Sequence, residues 1–207
     1  MTDRIWFVRH ASTEWSGHRW CGRTDLPLSA AGRAEARLLA TRLATGLPST
    51  VALVTSPARR ARETADPIAQ ALGLEIEIDD GLWEVDFGRA EGCTWSDIER
   101  RLPGVATRIT AGETEVDWPD GETSEAVRQR TRAALDRALF HDRPIVLVCH
   151  GGVIRAILAS LDRERARTTV GAASVLIGSI PPGSVIELIR AGAGWAIVPT
   201  GESAEDQ

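Results

Sequence analysis

Two of the four histidines in this chain stand directly behind short apolar runs. Ile5-Trp6-Phe7-Val8 leads into Arg9-His10, and Ile145-Val146-Leu147-Val148 leads into Cys149-His150. A neutral imidazole can act as a nucleophile or a general base, and an adjacent arginine depresses its proton affinity and keeps the ring neutral near pH 7. His10 beside Arg9 reads as such a group. His150 is followed by Gly151-Gly152, whose backbone can approach a ligand closely and offer N–H groups to an anion at a helix start. A third apolar run, Val51-Ala52-Leu53-Val54, ends in Thr55-Ser56 and continues as Pro57-Ala58-Arg59-Arg60-Ala61-Arg62. Cations at a helix N-terminus oppose the macrodipole, and a bound anion relieves the conflict, so Arg59 or Arg60 is a candidate phosphate ligand. Leu82-Trp83-Glu84-Val85-Asp86-Phe87-Gly88 supplies carboxylates between the arginine helix and the second histidine. One of them, with its pKa raised by burial near Trp83 and Phe87, would serve as general acid for a leaving group.

The elements that must position these groups alternate. Apolar runs at 5–8, 51–54 and 145–148 read as buried strands. Helices are predicted at 29–44 with Ser29 as N-cap, at 56–72 with Ser56 as N-cap and Gly73 as the stop, at 123–140 and at 152–161. A short strand is predicted at 74–78, a hairpin of 174–180 with 184–189 around Pro181-Pro182-Gly183, and an edge strand at 195–198. The stretch 80–122 is irregular, with a helix starting near Trp95, and 201–207 reads as a frayed tail. Alternation of this kind predicts an α/β fold: one domain over 1–207, three layers α/β/α, a mostly parallel central sheet, and a small helical excursion at 80–122 capping the site. Ligands of open α/β sheets sit at the carboxyl ends of the strands, where Arg9-His10, Thr55-Ser56 and Cys149-His150 all fall.

Composition narrows the function classes. The chain has 207 residues, 43% hydrophobic and 26% charged, enough for a core without staples. The net charge of -5 argues against a nucleic-acid partner, and no apolar run is long enough for a membrane helix. Three cysteines without CxxC spacing disfavour a disulfide framework or a zinc knuckle and suit a reducing cytoplasm. No metal-ligand spacing, P-loop, dinucleotide fingerprint or serine-hydrolase elbow occurs, so no cofactor and no metal is expected. All 24 basic residues are arginine, which removes lysine chemistry and leaves a planar fork as the substrate-binding cation.

Taken together, the motifs resemble the histidine phosphatase superfamily in its phosphoglycerate-mutase-like branch. Arg9-His10-Ala11-Ser12-Thr13-Glu14-Trp15-Ser16 resembles its Arg-His-Gly signature, and Gly22-Arg23-Thr24-Asp25-Leu26-Pro27-Leu28-Ser29 its next segment. Ser56 through Arg60-Ala61 to Thr64-Ala65 is similar to its arginine helix, and the Glu84 segment with Glu91-Gly92 to its acid loop. Asp120-Gly121-Glu122-Thr123 and Val148-Cys149-His150-Gly151-Gly152-Val153-Ile154-Arg155 complete an ordered series over most of the chain. The resemblance implies that His10 becomes phosphohistidine, that Arg9, Arg60 and His150 bind the phosphoryl oxygens, and that Glu84 protonates the leaving group and then activates water. It implies no metal. Ala11 stands where the family has Gly, Ser12 where Glu or Gln is usual, and Ser16 where Asn is expected; Cys21 also departs. Ser12, Thr13, Ser16, Cys21, Gly22, Arg59 and Gly151 are the expected phosphate or substrate contacts.

The expected activity is hydrolysis of a small phosphomonoester through a phosphohistidine. Phosphoglycerate-mutase-type transfer is the alternative within the enzyme class, disfavoured by the Glu113, Glu115, Asp117 and Asp120 charges, and a non-catalytic phospho-ligand binder is the alternative outside it. Trp15, Trp20, Trp83 and Trp118 are the expected pocket wall, which predicts an apolar or ring-bearing leaving group. A homodimer is left open.

Overall fold

The computed structural model describes residues 2–48, 50–113, 115–166, 180–192 and 194–198. β1 (Arg4–Arg9) and β4 (Ile145–Cys149) are neighbours, parallel, with Arg9 opposite Cys149. β2 (Ala52–Thr55) flanks β4 on the other side, with Thr55 opposite Val148. This register brings all three strands to their carboxyl ends together. The ladder runs one residue past them: His10 N–H donates to the Cys149 carbonyl at 2.9 Å, and Ser56 N–H to the Val148 carbonyl at 2.9 Å. His10, His150 and Ser56 therefore leave the sheet side by side. With β3 (Ile76–Ile78), β5 (Val185–Ala191) and β6 (Gly194–Val198), the strand order is β3-β2-β4-β1-β5-β6; the first four are parallel, β5 pairs antiparallel with β1, and β6 antiparallel with β5.

The apolar runs are continuous because helices cover both sheet faces. α1 (Ala30–Gly46) and α2 (Arg59–Leu72) pack Leu39, Leu43, Ala61 and Ile68 against Val8, Leu53 and Val148. α5 (Ser124–Leu139) and α6 (Gly151–Ala166) pack Leu135, Ile154 and Ile157 against Phe7, Ile145 and Leu147 on the other face. Each fully buried side chain of this kind contributes roughly 1.5–3 kcal/mol. The three-layer architecture with a mostly parallel sheet is as the alternation predicted.

Caps follow the sequence in part. Ser29 accepts from Gly32 N–H, Thr123 accepts from Ala126 N–H, and Gly73 ends α2 at φ 65. Ser56 is not the cap of α2: that helix starts at Arg59 behind Ala58, with no side-chain cap. The predicted strand at 174–180 lies outside the described residues except Ile180, and the hairpin seen joins β5 to β6. The predicted tail at 201–207 also lies outside them.

The 80–122 stretch carries single 3-10 turns at Asp80–Leu82 and Gly88–Ala90, then α3 (Trp95–Arg101) and α4 (Pro103–Thr110). Thr94 and Asp97 form a capping box at the start of α3. Ile98, Leu102, Val105 and Trp118 give this stretch its own apolar cluster, closed by Val127 of α5. Among the described residues no helix is long and apolar enough to cross a membrane.

Candidate active site

At the carboxyl ends of β1, β2 and β4 lies a cavity of about 580 Å³, with Arg9, His10, Glu84 and Gly151 on its wall. His10 is buried, 6% exposed, and its Nδ1 lies 2.7 Å from the Ala11 carbonyl. A carbonyl oxygen only accepts, so Nδ1 carries the proton and Nε2 keeps the lone pair. Burial, reinforced by the Arg60 and Arg9 cations, holds the imidazole pKa well below its ordinary value. Ala11 stands where a glycine is usual, but among the described residues only Asp120 is a non-glycine at positive φ. The Ala11 methyl packs with Leu28 and Ala36, and its N–H donates to Thr64 Oγ1 at 3.0 Å.

The His150 ring is fully buried, with its centroid 5.1 Å from that of His10. Its Nε2 lies 2.8 Å from Ser56 Oγ. Ser56 Oγ also accepts from Ala58 N–H at 3.3 Å, and in the tautomer whose Nε2 accepts the Ser56 hydroxyl proton the His150 ring keeps Nδ1–H as a donor. Burial first, then the charges of Arg60 and Arg9, pushes the His150 pKa well down as well. Beneath it, burial pushes the Cys149 thiol well up, so it stays protonated.

Arg60 is fully buried. Its Nη1 donates to the Thr24 carbonyl at 2.9 Å, and Nη2 to those of Gly22 at 2.8 Å and Cys21 at 3.4 Å. The Glu91 carboxylate grips the other side of that loop, accepting from Gly22 N–H and Thr24 N–H. Arg9 donates from Nη1 to the Ile180 carbonyl. Three buried side-chain nitrogens among the described residues have no partner: Arg9 Nε, Arg60 Nε and His150 Nδ1. All three belong to groups around His10.

The Glu84 carboxylate is 6% exposed and is oriented by two backbone donors, Val85 N–H at 2.9 Å and Gly152 N–H at 3.2 Å. Gly152 permits this approach, because a Cβ there would lie 2.5 Å from Glu84 Oε1. The Trp83 indole lies against the Arg23 guanidinium, whose Cζ is 5.5 Å from the ring centroid.

Thr13, Ser16, Cys21 and Gly151 of the predicted contacts reach the cavity wall. Thr13 N–H donates to Ser16 Oγ at 2.9 Å, and Cys21 Sγ faces the Thr24 carbonyl. Three others do not reach it. Ser12 is turned to Glu35, donating from N–H at 2.9 Å and Oγ at 3.0 Å. Gly22 serves the Arg60–Glu91 brace, and its lack of a side chain is needed against Val85 O, which a Cβ would meet at 2.1 Å. Arg59 is 54% exposed and pairs with Glu63 at 2.6 Å, one turn along its own helix. The sequence reading also missed Ser56 as the partner of His150 and Glu91 as the loop brace. Glu91 had a signal in the Glu91-Gly92 pair of the acid loop; Ser56 had none that separates a cap from a histidine partner. Of the four predicted indoles, Trp15, Trp20 and Trp118 line the cavity and Trp83 does not.

Two buried neutral histidines make stability depend on pH. The unfolded chain takes up protons on them below about pH 6.5, whereas the folded pKa values lie well lower. Stability is therefore complete above that pH and falls as pH drops toward the folded values, by about 1.4 kcal/mol per pH unit per histidine. Urea midpoints at pH 7 and pH 5 should separate by more in the wild type than in His10→Asn. Equal separations would show that His10 is not neutral in the fold.

A neutral nucleophilic nitrogen, unpartnered buried nitrogens around it and an oriented carboxyl group are the layout that phosphoryl transfer requires. The comparisons agree. The Histidine phosphatase superfamily (branch 1) profile matches residues 5–199. The chain is 36% identical over 170 residues to the glucosyl-3-phosphoglycerate phosphatase of Mycolicibacterium vanbaalenii, covering 76% of this chain and 73% of the relative. It is 31% identical over 162 residues to the probable phosphoglycerate mutase GpmB of Salmonella arizonae, covering 76% of this chain and 74% of the relative. Its fold matches that of the mycobacterial glucosyl-3-phosphoglycerate phosphatase Rv2419c complexed with VO3 at a TM-score of 0.77 and 28% identity, covering 95% of this chain and 98% of that one. The chain belongs to branch 1 of the histidine phosphatase superfamily. It is a phosphatase of that superfamily, a phosphoric monoester hydrolase.

Proposed function

We propose that the protein hydrolyses small phosphomonoesters in two displacements at His10, without a metal. The observation that carries this reading is the set of unpartnered buried nitrogens, Arg9 Nε, Arg60 Nε and His150 Nδ1, around a neutral His10. A phosphoryl group gives all three an acceptor and offsets the buried arginine charge. His10 Nε2 then attacks phosphorus, the bond to the ester oxygen breaks, and Glu84 gives its proton to the departing alcohol. In the second step Glu84 takes a proton from water, the oxygen attacks phosphorus, and the N–P bond breaks to release phosphate and neutral His10. Positive charge facing the negatively charged equatorial oxygens does most of the work in both steps.

Among the described residues no group of three or more His, Cys, Asp or Glu side chains could hold a metal ion. Three free thiols support a reducing, cytoplasmic location, which cell fractionation tests.

The leaving group fits a ring-bearing alcohol. Trp15, Trp20, Phe87 and Ile109 line the cavity with apolar surface, while His18, Arg19, Glu113 and Ser124 offer polar contacts in its lining. A sugar ring has both kinds of face, and the glucosyl phosphoglycerate of the relatives is one candidate of this shape.

The test is phosphate release from a panel of phosphomonoesters in EDTA, the relatives' ester included, wild type beside His10→Ala. Release that survives chelation and requires His10 supports the reading. Transfer between glycerate positions without release would favour the mutase activity, and neither would favour a binder. Glu84→Gln should lower kcat/KM by about 10²–10⁴-fold while VO3 still binds. Wild-type rates in that variant would remove the acid–base role.

A further inference from the structure

Arg130 of α5 does not line the cavity, but it frames the segment that carries the general acid. Its Nε and Nη2 grip the Glu122 carboxylate at 2.6 and 2.8 Å. Nη1 donates to the Gly81 carbonyl at 2.9 Å and the Trp83 carbonyl at 2.6 Å, and Nη2 reaches the Glu84 carbonyl at 3.2 Å. Glu122 closes the far side. Its carboxylate accepts from Asp86 N–H at 2.8 Å, and its own N–H donates to the Asp86 carbonyl at 2.9 Å. The backbone is thus tied on both sides of Glu84 by one ion pair, 19% and 17% exposed.

That backbone also aims the acid. One of the two donors on the Glu84 carboxylate is Val85 N–H, inside the clamped segment. The other, Gly152 N–H, belongs to α6. A shift of residues 81–86 therefore moves the carboxyl group relative to the helix that follows His150. Proton transfer needs heavy atoms within about 2.6–3.2 Å, and a misplacement of about 1 Å can cost about 10²-fold in rate.

We infer that Arg130 is a positioning residue: through Glu122 and the backbone of 81–86 it sets the Glu84 carboxyl group against the leaving-group oxygen. The inference rests on the assignment of Glu84 as the acid. It separates from a merely structural role by leaving-group dependence. p-Nitrophenolate departs without a proton, whereas the less acidic phenol needs one, and the two phosphate esters are close in shape. kcat/KM reports the chemistry up to leaving-group departure.

The experiment measures kcat/KM for p-nitrophenyl phosphate and phenyl phosphate in wild type, Arg130→Gln, Glu122→Gln and Glu84→Gln, with thermal melts of each. Arg130→Gln should lose about 10-fold or more on phenyl phosphate relative to p-nitrophenyl phosphate. Glu84→Gln should show the same split, larger. Equal losses on both esters, or no loss on either, in Arg130→Gln overturn the positioning role while leaving the acid assignment intact if Glu84→Gln shows the split. Absence of the split in Glu84→Gln removes the acid assignment and the inference with it. Where Arg130→Gln does not melt cooperatively, Glu122→Gln decides on the same criterion: its amide oxygen still accepts from Asp86 N–H, while the carboxylate charge that pairs with Arg130, and more distantly with Arg23, is lost.

Discussion

His10→Ala abolishes phosphate release, by about 10⁴-fold or more, and leaves the protein folded. Removal of a covalent nucleophile takes away the step that all later chemistry depends on, and the groups that remain can only bind. The fold should tolerate the change. The imidazole makes one hydrogen bond, to the Ala11 carbonyl beside the cavity, so the loss is about 1 kcal/mol. The variant also sheds a buried group that acid would have to protonate, so its stability falls less steeply below pH 6.5. The second readout is the intermediate. A wild-type protein quenched during turnover should carry an acid-labile, alkali-stable phosphate, the signature of a phosphoramidate, and His10→Ala should carry none. Turnover in His10→Ala, or an alkali-labile phosphate on the wild type, would move the nucleophile to another residue.

Arg60→Leu should destabilise the protein by about 3–5 kcal/mol and also remove activity. The opposing effects can be weighed. Replacing a buried cation with an apolar group relieves a desolvation penalty, and in well-packed sites this stabilises. Here the guanidinium satisfies the carbonyls of Cys21, Gly22 and Thr24, and leaving buried acceptors unpaired costs about 1–3 kcal/mol each. The carbonyls therefore win. For a chain of this size the melting temperature should fall by roughly 6–20 °C. Arg60→Lys should not restore it, since one ammonium on a flexible stem cannot span the same carbonyls in a plane. Phosphate or VO3 should raise the melting temperature of the wild type more than that of Arg60→Leu, because the anion loses the pairing with Arg60 Nε–H and keeps only the Arg9 and His150 donors. An Arg60→Leu protein that melts with the wild type would mean that the 21–24 loop stands without this brace.

The parts of the site that were legible in the sequence are those where one residue type has one use. His10 and His150 follow apolar runs that only a sheet covered on both faces explains, so their arrival at one edge was readable from the chain. Arg59 and Arg60 show the limit. They are adjacent, equally charged and both at the start of α2, yet about 100° apart around the helix. One turns into the interior against the 21–24 loop; the other turns to solvent and Glu63. Ser56 shows the same limit. A serine before a proline suits a helix cap, and nothing local says that β4 will bring His150 within 2.8 Å of it. Trp83 was expected in the pocket wall with Trp15, Trp20 and Trp118, but it does not line the cavity and its ring lies against Arg23. The Arg130–Glu122 clamp joins residues of α5 and the acid loop that no spacing rule relates.

The sequence by itself determined the layer order and the family, and it picked out His10, Glu84 and His150 as the candidate nucleophile, acid and second histidine, because burial periodicity and strand–helix alternation are local properties of the chain. Only the tertiary structure decided which arginine is buried, which hydroxyl directs His150, and which glycine lets Glu84 approach α6. Those choices depend on the rotation of each helix and the register of each strand. A register shift of one residue, or a helix turn of one position, exchanges an inward side chain for an outward one. The packing of the whole core sets both.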